Sequence, residues 1–180
     1  MDSYTTITIV VAVMVILGSV IGLIFFRRKR SDRFQAQYGT EYTETVKNLG
    51  DNRKAQTELE KRQKHINSLH LRTLTVEERE RYLAEWAEVQ SKFVNDPGQA
   101  IMEADRLIIE VMRLRDYPIS DFEERAADIS IQYPALVSDY RAARKIMVKN
   151  MDGNADTEEL RIAAIQYRSV FDELIKPTED

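Results

Sequence analysis

The stretch from Ile7 to Phe26, ITIVVAVMVILGSVIGLIFF, constrains this chain more than any other: twenty residues in a row carry no charge. Wound into a helix at about 1.5 Å per residue, it reaches about 30 Å, the thickness of a bilayer's hydrocarbon core. A cleaved signal peptide would need a basic region ahead of a shorter apolar core and a small-residue cleavage site behind it. Here the six preceding residues hold one acid, Asp2, and no base, and the run is followed at once by Arg27, Arg28, Lys29 and Arg30. A helix buried in a soluble core has no reason to end in four consecutive bases. The stretch therefore predicts an N-terminal transmembrane helix, with residues 1–30 forming an anchor and its basic flank.

Orientation follows from charge. Lys and Arg close to the end of a span stay on the cytoplasmic side. All the flanking bases, Arg27, Arg28, Lys29 and Arg30, lie C-terminal to the run. A single-pass protein of the cytoplasmic membrane is expected, N-terminus out and C-terminal domain in the cytoplasm. The tetrad should sit among anionic headgroups, each base contributing about 1 kcal/mol near the surface. Within the span, Gly18 and Gly22 stand four apart on one helix face. That spacing lets two helices approach closely and would permit a homodimer through the transmembrane helix. Glycine is also simply common in such helices, so the spacing alone is weak.

The net charge of −4 hides an asymmetry. Residues 27–70 carry 11 bases against 6 acids, while residues 71–180 carry 15 against 23. An acidic distal domain is no phosphate-backbone binder, which argues against nucleic acid as a partner. It would also be repelled by an anionic bilayer. The chain has no cysteine, which removes disulfides, thiolate catalysis and thiolate metal sites.

Residues 31–70 read as a charged, partly helical stalk that would hold the distal domain clear of the headgroups. The anchor helix can run on to about Gln37, where Gly39 can end it. Glu41 to Leu49 is a short helix candidate closed by Gly50, and Asp51 can cap a further helix to about His65. The apolar content of that last helix is thin, chiefly Ala55 and Leu59, so charge pairs three and four apart are expected to hold it.

From residue 71 the texture changes, and residues 71–180 read as an acidic bundle of about five helices. Thr75-Val76-Glu77-Glu78 is a capping box and starts a helix with Leu83, Trp86, Val89 and Phe93 on one face. Asp96-Pro97 caps the next, which carries Ile101, Ala104, Leu107, Ile108, Val111 and Met112. Ser120 to Glu123 spells a second capping box, and the shorter helix that follows has Phe122, Ala126 and Ile129 inward. Tyr133-Pro134 opens a fourth helix with Val137, Tyr140, Ile146 and Met147 inward. Asp156 caps the last, with Leu160, Ala163, Ala164, Tyr167, Val170, Phe171 and Leu174 inward. Amphipathic helices on short links, without a convincing strand, give an all-α fold.

The search for chemistry leaves catalytic, cofactor and metal residues unassigned. His65 and His70 lie five apart in a polar connector, not at a helical zinc spacing. No Gly-rich loop offers a phosphate cradle. Asp121, Glu123, Glu124 and Asp128 would make a cation site if they converged, but acids are expected in a helix's first turn on dipole grounds. Arg141, Arg144, Lys145 and Lys149 form a basic stripe, either a surface for an acidic partner or the ordinary enrichment toward a helix C-terminus. Trp86 on an apolar stripe reads as core before it reads as a ligand platform.

Three long phrases carry a resemblance: LTVEERERYLAEWAEVQSKFVNDPGQAIMEADRLIIEVMRLRDYP, FEERAADISIQYPALVSDYRAA and TEELRIAAIQYRSVFDELI. With the anchor, basic cluster and stalk ahead of them, the chain resembles a widespread, uncharacterised bacterial family of small single-pass membrane proteins with a C-terminal helical domain. The resemblance implies a bacterial source and a cytoplasmic-membrane location, and it brings no activity and no functional residues. The expectation is a membrane protein presenting a cytoplasmic helical module to a protein partner. The alternatives are a structural spacer or membrane organiser, and an enzyme with an unrecognised carboxylate site.

Overall fold

A computed structural model describes residues 3–69 and 71–177, and His70 lies outside the described residues. Among the described residues there are seven helices and no strand: α1 Ser3–Leu49, α2 Asn52–Ser68, α3 Val76–Phe93, α4 Pro97–Leu114, α5 Phe122–Gln132, α6 Val137–Met151 and α7 Thr157–Leu174. The all-helical expectation holds. The chain divides into two compact units, Met1–Gln56 and Thr57–Asp180, with the boundary inside α2.

In the first unit α1 is broken at Gly39, whose φ of 52° and ψ of −124° leave the helical region. A left-handed φ suits glycine, so the break falls where the sequence placed it. Beyond it the chain folds back. The Ser31 and Tyr42 hydroxyls are 2.9 Å apart, Thr43 Oγ1 donates to Gln35 Oε1 at 3.2 Å, and the Phe34 and Tyr42 rings lie 5.9 Å apart. Gly50, at φ 68°, reverses the chain again. Asp51 then accepts from the Arg53 and Lys54 amides at 2.7 and 3.0 Å and starts α2. Residues 31–56 are thus a double fold-back rather than a straight rod.

Among the described residues no helix is long and apolar enough to cross a membrane. The side chains of residues 3–13, 15, 20 and 27, which include part of the apolar run and one of the four bases, lie outside the described ones.

The sequence reading of α2 is incomplete. Charge pairs are present, Arg62 with Glu58 at 3.1 Å among them. Yet Ala55, Leu59 and Ile66 are wholly buried. Three apolar residues at spacings of four and seven make one narrow stripe, and such a stripe can be covered even in a helix this polar.

In the second unit the caps fall largely where expected. Thr75 and Glu78 bond reciprocally as a capping box. Asp96 accepts from the Gln99 amide with Pro97 following it. Asp156 and Glu159 make a second box. Two starts are shifted. The α5 cap is Asp121, bonded to the Glu124 amide, one residue later than the Ser120 frame. The α6 helix begins only at Val137, after a turn through Pro134, without a side-chain cap. At Gly98 an added Cβ would stand 2.8 Å from Asn150 Oδ1, so any side chain there would displace the Asn150 amide, which donates to the Gly98 carbonyl at 3.1 Å.

One core gathers Trp86, Ile101, Leu107, Ile108, Met112, Tyr140, Tyr167 and Phe171 from α3, α4, α6 and α7. It contains a charge. Asp105 on α4 accepts from the Tyr167 hydroxyl at 2.9 Å and from Arg144 at 2.7 Å. The Arg144 guanidinium lies 5.5 Å over the ring of Phe122, so α4, α5, α6 and α7 meet at one ion pair. A second buried charge, Arg115, donates to the Leu174 carbonyl at 2.8 Å and satisfies the C-terminal end of α7.

Candidate functional site

The distal bundle carries an apolar cleft of about 410 Å³ between α3, α4 and α7. Helix α3 supplies Trp86, Val89, Gln90 and Phe93; α4 supplies Ala100, Ile101 and Ala104; α7 supplies Arg161, Ala164, Ile165, Arg168 and Ser169. Three of its lining residues, Ala100, Ala104 and Ala164, are small and stand among the larger Trp86, Phe93 and Ile101. The volume falls within the range of small-molecule and anchor-residue pockets.

Trp86 is both core and wall. Only 2 % of it is exposed. It stacks on Phe171 with centroids 4.5 Å apart and planes inclined by 20°. Its indole N–H is buried without a hydrogen-bond partner, an arrangement that costs about 1–3 kcal/mol unless something accepts from it. The Arg168 guanidinium lies 5.6 Å over the indole and is held by Asp172 at 2.7 Å. At the other end Arg161 is paired to Glu158 at 2.6 Å. Both pairs are partly exposed, so a ligand can displace either at little cost. Ile165 stands between the two arginines and is 54 % exposed.

A second, polar cleft of about 230 Å³ is lined by Glu58, Lys61, Arg62 and His65 of α2, Pro118 and Ser120 of the linker, and Glu124 and Asp128 of α5. It gathers two of the four acids singled out in the sequence. Glu124 is exposed and Asp128 is buried. Burial raises the Asp128 carboxyl above its ordinary range, against the opposing pull of Arg62 and His65. Ser120 Oγ is buried here without a partner. The other two acids go elsewhere: Asp121 caps α5, and Glu123 faces Arg141 at 3.5 Å. Among the described residues no group of acids and histidines is placed to hold a metal ion. His65, expected as a linker histidine, stands on α2 at this cleft.

The basic stripe on α6 is largely spent within the bundle. Arg141 faces Glu123, Arg144 holds Asp105, and Lys149 donates to Glu159 at 2.6 Å. Lys145, the fourth of the stripe, is exposed. In the first unit Arg28, Lys29 and Arg30 are exposed, and Arg30 lies 5.8 Å over the Phe34 ring. A Cβ built at Gly18 or Gly22 meets nothing within 4 Å, so that helix face is open.

The cleft was missed in the sequence because alanines on an amphipathic stripe read as core. The usable signal was their alignment: Ala100 and Ala104 one turn apart, opposite Ala164. The Asp105 node also has a sequence signal, a lone acid between Ala104 and Leu107 on an apolar face, which no run of acids marks. Comparison with protein-family models, with curated proteins and with solved structures finds no match for this chain.

Proposed function

We propose that this chain is a single-pass membrane protein whose distal bundle takes an apolar segment of a partner protein into the α3–α4–α7 cleft. The observation that carries the anchor half is exposure. Eight large apolar side chains between Met14 and Phe26 are each 48–73 % exposed. A continuous apolar surface of that kind on a helix calls for lipid or protein around it. Its uncharged sequence and the bases Arg27, Arg28, Lys29 and Arg30 favour lipid, with the N-terminus out and the bundle in the bacterial cytoplasm. Gly18 and Gly22 offer an open face for a second copy within the bilayer.

The cleft favours an interaction module over a plain spacer, since a spacer has no use for a concave apolar surface. Tethering raises the local concentration of a membrane-bound partner, so a modest pocket suffices. A photocrosslinking residue at Ile165 tests this in cells. A discrete adduct is expected, lost when Ala104→Phe fills the cleft and reduced when Ile7 to Phe26 are deleted. An adduct pattern indifferent to both changes would refute the reading.

Asp128 favours a second reading, acid–base chemistry in the polar cleft. A buried carboxyl beside Lys61, Arg62 and His65, with the unpartnered Ser120 hydroxyl near, is the kind of environment that tunes a catalytic group. It ranks second because Glu58, Lys61, Glu124 and His65 remain open to water. If Glu124→Gln or Asp128→Asn abolished activity in a folded, membrane-bound protein, this reading would replace the first.

A further inference from the structure

The double fold-back of residues 31–56 returns the chain to where the apolar stretch ends. Gly39 turns α1 back on itself, Gly50 turns it forward again, and Gln56 Nε2 donates to the Tyr42 hydroxyl at 3.2 Å, aligning the start of α2 with the return segment. The result is a cleft of about 480 Å³ with Leu23, Phe26 and Arg30 on one wall and Gly50 to Arg53, with Gln56, on the other. Residues almost thirty apart in sequence share one level of the unit. That level is the junction between the uncharged run and the basic tetrad.

We propose that the hairpin tip Lys47–Lys54 is a second membrane footing, which binds anionic lipid headgroups beside the anchor. The inference rests on the anchor reading above and adds to it a contact that the linear sequence does not suggest. The tip has the chemistry of an interfacial segment. Lys47, Arg53 and Lys54 are exposed, and Leu49 offers an apolar side chain 42 % exposed. Asp51, the one acid in Lys47–Lys54, caps the α2 amides, and against Lys47, Arg53 and Lys54 it leaves the tip with a net positive charge. With Arg28, Lys29 and Arg30 the tip makes a collar of bases around the end of the span instead of a single row. Each base near an anionic surface adds about 1 kcal/mol, and the attraction is screened within a Debye length. A straight stalk would carry Arg53 some 35 Å from Arg30, at about 1.5 Å per residue, and out of reach of the headgroups.

The chain's lack of cysteine makes the test direct. Single cysteines at Asn52 and Leu17 of the full chain are labelled with a fluorophore and reconstituted in phosphatidylcholine vesicles with and without phosphatidylglycerol. Nitroxide lipids quench at headgroup or acyl depth. The Asn52 probe is expected to be quenched by the headgroup nitroxide in phosphatidylglycerol vesicles. Quenching should fall at least threefold in R53E/K54E or in high salt, while helix content by circular dichroism is unchanged. The Leu17 probe should be quenched by the acyl nitroxide throughout. An Asn52 probe quenched no more than a glutathione-bound probe, with Leu17 in the acyl region, overturns the footing and leaves the anchor standing. A Leu17 probe outside the acyl region overturns both.

Discussion

Trp86 and Phe171 stack at 4.5 Å between centroids, joining α3 to α7 across the floor of the apolar cleft. Phe171 is fully buried and Trp86 nearly so. Replacing the indole therefore opens the core as well as the cleft. Trp86→Ala should cost about 3–5 kcal/mol of stability, as for other buried large aromatics. Urea unfolding followed by circular dichroism checks this. A loss below about 1 kcal/mol would mean that the ring contributes little to the core and serves the cleft alone.

The Asp105 node makes a different demand. Its carboxylate is the acceptor for both Tyr167 and Arg144. Removing it strands a half-buried cation and a buried hydroxyl, and breaking such a pair from one side costs about 3 kcal/mol, the low end for buried pairs. Asp105→Ala should thus destabilise no more than Trp86→Ala, whereas Tyr167→Phe, which removes one neutral donor, should cost about 0.5–1.5 kcal/mol. Equal losses from the two Asp105-node variants would show that Tyr167, not the ion pair, holds the node.

Asp128 predicts a pH dependence of definite sign. Burial raises its carboxyl above the ordinary value of 3.8. Between the unfolded and folded values the native state binds more protons than the unfolded one, so stability falls as pH rises through that window. Asp128→Asn should therefore raise the melting temperature at neutral pH. The gain should shrink as pH drops toward 3.8. A variant less stable than the parent at neutral pH would mean that Arg62 and His65 outweigh the cost of burial.

How much of this was legible in the chain depends on what each feature needs. The caps at Thr75, Asp96 and Asp156 are local, set by one side chain and an amide three residues on, and they fold as written. Gly39 and Gly50 were legible as stops. Their consequence was not, because the direction in which a chain leaves a left-handed glycine depends on contacts such as Ser31 with Tyr42, eleven residues apart. Ser120 and Asp121 compete for the same cap, and the carboxylate wins as the stronger acceptor. The apolar cleft is a property of three helices together. No single helix's stripe distinguishes an alanine that closes a core from one that leaves it open.

The last prediction separates tether, cleft and chemistry in one set of variants. Ile165 is exposed between Arg161 and Arg168, so Ile165→Glu should leave the fold intact while placing a hydrated charge at the mouth of an apolar cleft. Deleting Ile7 to Phe26 removes the anchor and leaves the cleft as it was. Glu124→Gln alters the polar cleft and nothing else. If function depends on a partner held near the membrane, the first two changes should each cause a large loss and the third a small one. The measurements are cellular function and partner recovery after extraction in mild detergent, with a reporter fused after Asp180 recording topology. That reporter should be active only if it needs the cytoplasm. A detached bundle that works as well as the anchored chain would end the tether argument, because raising local concentration is all that the anchor contributes to binding.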